Sequence, residues 1–241
     1  MHRLLASTEI LSHNIPAISR EAANHLKVLR PKNGEEVELF DGRGLTRIYR
    51  YNASIKQLEA AGELTHHIKP SAATITLFSC VTKGARWDWT LEKATELGVD
   101  RIVPVISDRT IVRIPATERA AKRERWTRII EEAGRQSDAV FLPEISEIVD
   151  FKASLDIVKR THCFVGALTT PPPKLLAEEV LSAKKINAMG DYAIYIGPEG
   201  DFTHEELSSL LDIAHPVSLG SRILRAETAS IFALSVLRAL L

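Results

Sequence analysis

Residues 194–205 read Ile-Tyr-Ile-Gly-Pro-Glu-Gly-Asp-Phe-Thr-His-Glu, an apolar run that breaks into a Gly-Pro-Glu-Gly turn carrying two carboxylates. The apolar run predicts the end of a buried strand, and Thr203 with Glu206 forms a capping box that starts a helix just past the loop. A glycine loop after a strand ordinarily suggests a phosphate site, because free backbone N–H groups at a helix N-terminus favour an anion. Here Glu199 and Asp201 stand where that anion would sit, and no Gly-Lys-Ser/Thr follows. The loop suits a neutral or cationic ligand.

Working outward, the chain from Ile75 on alternates apolar strands with longer amphipathic segments: TITLFSCV, a helix through Leu97-Gly98, RIVPVIS, a long charged helix, CFVGALT, YAIYIG and a short HPVSLG. This alternation predicts an α/β domain with a parallel sheet covered by helices. The first 70 residues differ. Val37 and Leu39 alternate with Glu36 and Glu38 ahead of an Asp41-Gly42 turn, the signature of a hairpin, and the segment reads as a small β-barrel. One helix interrupts it, from Ser19 to Arg30, with Ala22, Leu26 and Leu29 at helical spacing and Pro31 as its stop. Lys69-Pro70-Ser71 is the expected linker between domains 1–71 and 72–241.

Composition sets wide bounds. The 241 residues are 45% hydrophobic and 26% charged, which is ordinary for a globular chain. The N-terminus lacks the apolar core of a secretory signal, and no run approaches the roughly 20 apolar residues of a spanning helix, so a cytoplasmic protein is expected. Cys80 and Cys163 have no zinc or redox spacing, and no metal site is expected. Net charge is zero, so the bulk field does not announce a nucleic-acid binder. Residues 1–72 carry ten Lys/Arg against eight Asp/Glu, a mild basic tilt. The helix TERAAKRERWTRIIEEAGRQSD carries six Lys/Arg, but interleaved Glu118, Glu124, Glu131 and Glu132 favour a solvated face over an RNA-binding one. The segment AETASIFALSVLRALL is apolar nearly all round and must be covered, by its own core or by a second subunit.

Three loops follow three strands: Gly166-Ala167-Leu168-Thr169, Gly197 to Phe202, and Leu219 to Thr228. Ligands of open α/β sheets lie beyond the carboxyl ends of the strands, so the loops fall on the functional edge. Small residues with exposed backbone there can enclose a flat heterocycle.

These loops also carry a resemblance. Gly197-Pro198-Glu199-Gly200 followed by Leu219-Gly220-Ser221-Arg222-Ile223-Leu224-Arg225-Ala226-Glu227-Thr228-Ala229 resembles the small-subunit (16S) ribosomal RNA uridine-N3 methyltransferase family of the SPOUT superfamily. Glu92 to Val99, Arg135-Gln136-Ser137, His25 to Arg30 and Phe40-Asp41-Gly42 are similar to the family's other blocks, so the likeness covers nearly the whole chain. It implies a PUA-like RNA-binding β-barrel and a SPOUT-type α/β domain closed by a trefoil knot that binds S-adenosylmethionine. It also implies a homodimer acting on 16S rRNA of the small ribosomal subunit. Two positions depart from the pattern: Asp201 replaces a second glycine, and Asp138-Ala139-Val140 follows Gln-Ser where an arginine is common.

On this resemblance the cofactor-binding candidates are Gly166, Leu168, Gly197, Pro198, Glu199, Gly200, Leu219, Ser221, Ile223 and Leu224. Arg225 is the catalytic candidate, with Glu227 as its orienting partner and a weaker candidate for the base; Arg3, Lys27, Arg30 and Arg222 are the RNA-binding candidates. A sulfonium is cationic, which accords with a carboxylate-bearing loop. Two other readings stay open: a knotted methyltransferase acting on a ribose 2′-hydroxyl or a tRNA base, and a non-catalytic RNA-binding assembly factor. A dehydrogenase does not fit, because no G-x-G-x-x-G follows the first strand.

Overall fold

Val37 and Leu39 are fully buried while Glu36 is exposed, and this alternation builds the central hairpin of an N-terminal unit. The computed structural model describes residues 1–158, 161–186 and 190–241, and the chain falls into two units. The first is Met1–Pro70 with Glu131–Leu142; the second is Ser71–Ile130 with Pro143–Leu241.

The first unit contains β1 (His2–Leu5), α1 (Thr8–Leu11), α2 (Arg20–Leu29), β2 (Glu36–Phe40), β3 (Leu45–Asn52), β4 (Gln57–Ala60) and β5 (Thr65–His66). Its sheet runs β1-β2-β3-β4 with β5 on β3; β1 and β2 are parallel and the remaining pairs antiparallel. The β2–β3 turn is held by Asp41, whose Oδ1 accepts the N–H of Arg43 at 2.7 Å and of Leu45 at 2.9 Å. Helix α2 starts at Ser19, whose hydroxyl accepts Ala22 N–H at 3.1 Å, and ends where Arg30 turns left-handed before Pro31. Leu4, Leu11, Leu26, Val37, Leu39, Tyr49 and Leu58 form the core.

Residues 131–142 complete this unit through backbone bonds, Leu142 N–H to Gly42 O at 2.8 Å and Gly44 N–H to Val140 O at 3.0 Å. Gly44 is required there: a Cβ would sit 2.5 Å from the Phe141 ring. Arg3, expected to contact RNA, is instead 6% exposed. Its Nε donates to Glu38 at 2.5 Å, its Nη atoms to Gly134 O and Ala139 O at 3.1 and 3.2 Å, and its guanidinium lies 4.3 Å from the Phe40 ring centre. With its donors occupied inside the unit, Arg3 is a structural residue.

The second unit contains β6 (Ile75–Cys80), α3 (Ala85–Glu96), β7 (Arg101–Ile106), α4 (Ala116–Gln136, grouped with the first unit from Glu131 on), β8 (Glu144–Ile145), β9 (Val149–Asp150), α5 (Phe151–Leu155), β10 (Thr161–Gly166), α6 (Leu176–Ile186), β11 (Asp191–Ile196), α7 (His204–Leu211), β12 (His215–Val217) and α8 (Ala226–Leu240). The strands pair in the order β12-β10-β11-β6-β7-β8, with β9 also on β7, and every pair is parallel. Parallel sheets need cover on both faces, which is why β11 is one continuous buried run.

Phe78 and Tyr195 stack at 4.4 Å in the core, and the Tyr195 hydroxyl donates to Ser154 O at 2.9 Å. Trp87 of α3 meets Trp126 of α4 edge-on at 5.4 Å, both buried. The charges of α4 are matched: Arg119, Arg123, Arg125 and Arg128 pair with Asp150, Glu147, Asp88 and Glu124. Helix α8 packs on α3, α6, β6 and β11, and its Leu234 and Leu237 are fully buried within this unit, so core packing accounts for most of its apolar surface. Phe232, 43% exposed, is the large apolar side chain it leaves to solvent. Among the described residues no helix is long and apolar enough to cross a membrane.

Candidate functional site

Strands β12, β10 and β11 are sheet neighbours, so their carboxyl-end loops are brought side by side by the topology alone. They line one cavity of about 400 Å³, within the range usual for small-molecule sites.

The loop after β11 is a tight turn, with Asp201 N–H donating to Pro198 O at 2.9 Å. Asp201 has a left-handed backbone, φ +59°, and its own carboxylate accepts Phe202 N–H at 2.8 Å. A glycine-favouring conformation at this position is the physical reason an aspartate, one of the few side chains that tolerates it, can stand in for one. Arg109 clamps the turn from the loop after β7, donating to Gly200 O at 3.0 Å and Phe202 O at 3.3 Å. Thr203 and Glu206 form the expected reciprocal cap of α7. Gly197 is tightly enclosed: a Cβ would lie 3.2 Å from both the Phe202 ring and the Asp201 carboxylate.

The loop after β12 leaves the sheet at Ser218, turns at Gly220 with φ +114°, and enters α8 with Arg225 as N-cap. Ser218 is fixed by backbone bonds to Lys174 and Leu176. The β10 loop is tied alongside by Ala167 N–H donating to Val217 O at 3.2 Å. Gly166 permits this approach, since a Cβ there would sit 3.4 Å from both Ile196 and Leu219. At the rim, Leu168 and Ile223 are 65% and 81% exposed, two apolar side chains available to a flat ring.

Of the residues expected to bind a cofactor, Gly166, Leu168, Gly197, Pro198, Glu199, Leu219, Ile223 and Leu224 line the cavity, and so do Arg222 and Arg225. Gly200 and Ser221 do not. Gly200 faces Arg109 at ordinary contact distance and needs no positive φ; the strained position of this turn is the following residue. Glu227 also lies outside the lining. Its side chain is 11% exposed, and its charged neighbour is Arg86, whose Nε is 3.8 Å away, rather than Arg225. The other carboxylate oxygen of Glu227 is buried with no hydrogen-bond partner among the described residues.

Arg86 is a charged cavity-lining residue that the sequence reading missed. It lies in the first turn of α3, lines the cavity, and pairs through Nη1 with Glu199. Its signal was present in Lys83-Gly84-Ala85-Arg86, a strand–glycine–helix junction on the same edge of the sheet, with Gly84 at φ +61°. Among the described residues no group of His, Cys, Asp and Glu could hold a metal ion.

Comparison with known proteins accords with this geometry. The family described as RNA methyltransferase domain matches residues 69–238, and that described as RNA methyltransferase PUA domain matches residues 18–58. The Ribosomal RNA small subunit methyltransferase E of a Synechocystis strain is 30% identical over 250 residues, covering 100% of this chain and 78% of that protein. Its namesake in Bacillus subtilis is 28% identical over 180 residues, covering 73% and 69%. A solved structure of the Neisseria gonorrhoeae Ribosomal RNA small subunit methyltransferase E bound to S-adenosyl methionine superposes with a TM-score of 0.84 at 29% identity, covering 100% of this chain and 98% of that one. The methyltransferase match contains every loop of the cavity, and the chain belongs to the RNA methyltransferase family.

Proposed function

We propose that this protein transfers the methyl group of S-adenosylmethionine to N3 of a uridine in 16S rRNA of the small ribosomal subunit, in the cytoplasm. The observation that carries the reading is the cavity formed by three strand-end loops, which combines lining backbone at Gly166, Gly197 and Gly220 with apolar side chains and a carboxylate-bearing turn. Backbone N–H and C=O groups recognise an adenine edge, and carboxylates favour a cation. Gly197 and Gly166 let the loops close on one another to form the cavity wall, since a Cβ at Gly197 would press on Phe202 and Asp201 of its own turn and one at Gly166 would meet Ile196 and Leu219.

When bound, the cofactor supplies an electrophilic methyl on a sulfonium. The chain's own residues must then make uracil N3 a nucleophile, and that requires loss of the ring N–H. Arg225, exposed at the cavity mouth, is suited to stabilise the resulting anion at a uracil carbonyl oxygen. Glu227 serves the site through Arg86 in our reading, and its unpartnered oxygen is an available acceptor. Holding donor and acceptor in line while excluding water contributes the rest.

Lys27 and Arg30 of the first unit are exposed and suited to phosphate contact, as is Arg222 at the cavity rim. The family's knotted path for the β12–α8 segment and its homodimer belong to the same proposal; exposed Phe232 is the natural candidate for a subunit contact.

The deciding experiment supplies labelled S-adenosylmethionine to intact small subunits and to naked 16S rRNA, then identifies the labelled nucleoside. 3-Methyluridine is the expected product. Label on a ribose or another base would move the acceptor, and no label on either substrate would leave only an RNA-binding role.

A further inference from the structure

The parallel sheet carries a second cavity, at the amino ends of its strands. Thr74 just ahead of β6, with Thr76 and Phe78 within it, alternate onto one face; the register sets Arg101 of β7 and Ala193 of β11 on either side of Thr76, and Thr161 of β10 beside Asp191. With Asp100, Ile157 and Val158 these residues line about 360 Å³. Thr161, Asp191 and Arg101 each open a six-residue strand, so about 20 Å of sheet separates this cavity from the strand-end loops described above. Two atoms of the lining, Arg101 Nε and Thr161 Oγ1, are buried with no hydrogen-bond partner among the described residues. Asp100 is engaged by Ile75 N–H at 2.8 Å and by Arg238 at 3.3 Å, and Asp191 accepts the Thr74 hydroxyl through one oxygen. Among the described residues Arg101 and Asp191 form no ion pair with each other or with a third group. A cation and a carboxylate therefore face one cavity without meeting, with β6 between their strands.

We propose that this cavity binds a free α-amino acid with an apolar side chain, a site independent of the methyltransferase reading. The ligand carboxylate takes the Arg101 guanidinium, whose planar fork suits two-point contact, and the ammonium takes Asp191 with the Thr161 hydroxyl as a second acceptor. Its side chain lies over Phe78 and Ala193, against half-buried Ile157 and Val158. The charge pattern selects a zwitterion. A phosphate or dicarboxylate would bring unmatched negative charge up to Asp191, and a simple amine would leave the buried Arg101 N–H without an acceptor.

Calorimetry on the full chain tests the site without catalysis. Leucine is the probe; leucinol lacks its carboxylate and 4-methylpentanoate its ammonium. Leucine should bind with a Kd of about 1 mM or tighter, and each analogue about 10-fold or more weaker. Arg101→Gln and Asp191→Asn should each weaken leucine about 10-fold or more with circular dichroism and S-adenosylhomocysteine affinity unchanged. Saturating S-adenosylhomocysteine should leave leucine binding as it was. Wild-type protein that takes up neither leucine nor phenylalanine would overturn the proposal. So would analogues that bind as well as leucine, or variants of native circular dichroism that bind it normally. Displacement of leucine by S-adenosylhomocysteine would put the amino acid in the other cavity and overturn it as well.

Discussion

Glu206 and Asp108, 98 residues apart in sequence, are joined by a hydrogen bond in which the buried Glu206 carboxylate accepts the Asp108 backbone N–H at 2.9 Å. The other oxygen of the same carboxylate accepts Thr203 N–H at 2.9 Å and closes the cap of α7. One side chain therefore fixes the loops after β7 and β11 together. Glu206→Ala should destabilise the protein by about 1–3 kcal/mol, through loss of the cap and of the acceptor for the part-buried Asp108 N–H. Glu206→Gln should cost less, since one acceptor oxygen remains. Urea denaturation of the two variants measures the order.

The two glycines flanking Pro198-Glu199 should respond differently. Gly197→Ala places a methyl 3.2 Å from the Phe202 ring inside the cavity wall and should weaken cofactor binding about 10-fold. Gly200→Ala meets only Arg109 at 3.5 Å and should bind nearly as wild type. Titration of S-adenosylhomocysteine into each variant distinguishes them, and equal losses would contradict the geometry.

Arg225→Ala should retain cofactor affinity yet slow methyl transfer by about 10²- to 10³-fold, the usual effect of removing one preorganised donor. Part of the loss should return at high pH, where uracil ionises unaided. Single-turnover rates across pH provide the readout, and wild-type rates at neutral pH would exclude Arg225 from the reaction.

The α/β pattern, the hairpin at Glu36–Asn52, the cap at Thr203 and the three site loops could all be read from sequence because each depends on local chemistry: periodicity, glycine placement and a capping pair. What could not be read depends on contacts far along the chain. Arg3 looked like any N-terminal cation, and only Gly134 and Ala139, more than 130 residues away, make it a buried one. Arg86 looked like the start of an ordinary helix until Glu199 and Glu227 were brought to it. Segment 131–142 joins the first unit by backbone bonds that carry no sequence signature. Residue 200 drew attention in the Gly-Pro-Glu-Gly run, yet the backbone demand falls on Asp201.

Arg3→Ala should be among the most damaging substitutions in the first unit, because it leaves the Glu38 carboxylate and the Ala139 carbonyl without their Arg3 donors and removes one of the two donors to Gly134 O. A loss of about 3–5 kcal/mol is expected. Lys27→Ala should leave stability unchanged and instead weaken RNA binding with a smaller salt dependence. Thermal unfolding beside filter binding at several salt concentrations separates the two effects.

Both cysteines should be inert. Burial pushes the Cys80 and Cys163 thiols up from near 9 to about 12. Native protein at pH 8 should therefore resist a thiol reagent that labels both residues after denaturation. The sign for stability follows: the folded state keeps protons that the unfolded state releases, so this contribution is intact below about pH 9 and is lost as pH rises toward 12. Each thiol adds a slope of up to about 1.4 kcal/mol per pH unit over that window. Denaturation midpoints at pH 7, 9 and 10 record the trend.

The edge-on pair of Trp87 and Trp126 has an optical consequence. The chain's three tryptophans, these two and Trp89, all lie in the second unit, while the first contributes only tyrosines such as Tyr49 to the emission. Tryptophan fluorescence is thus a built-in reporter of the methyltransferase unit alone, and circular dichroism reports both. A denaturation curve on which the two signals diverge would reveal the first unit melting on its own account, without any label or fragment.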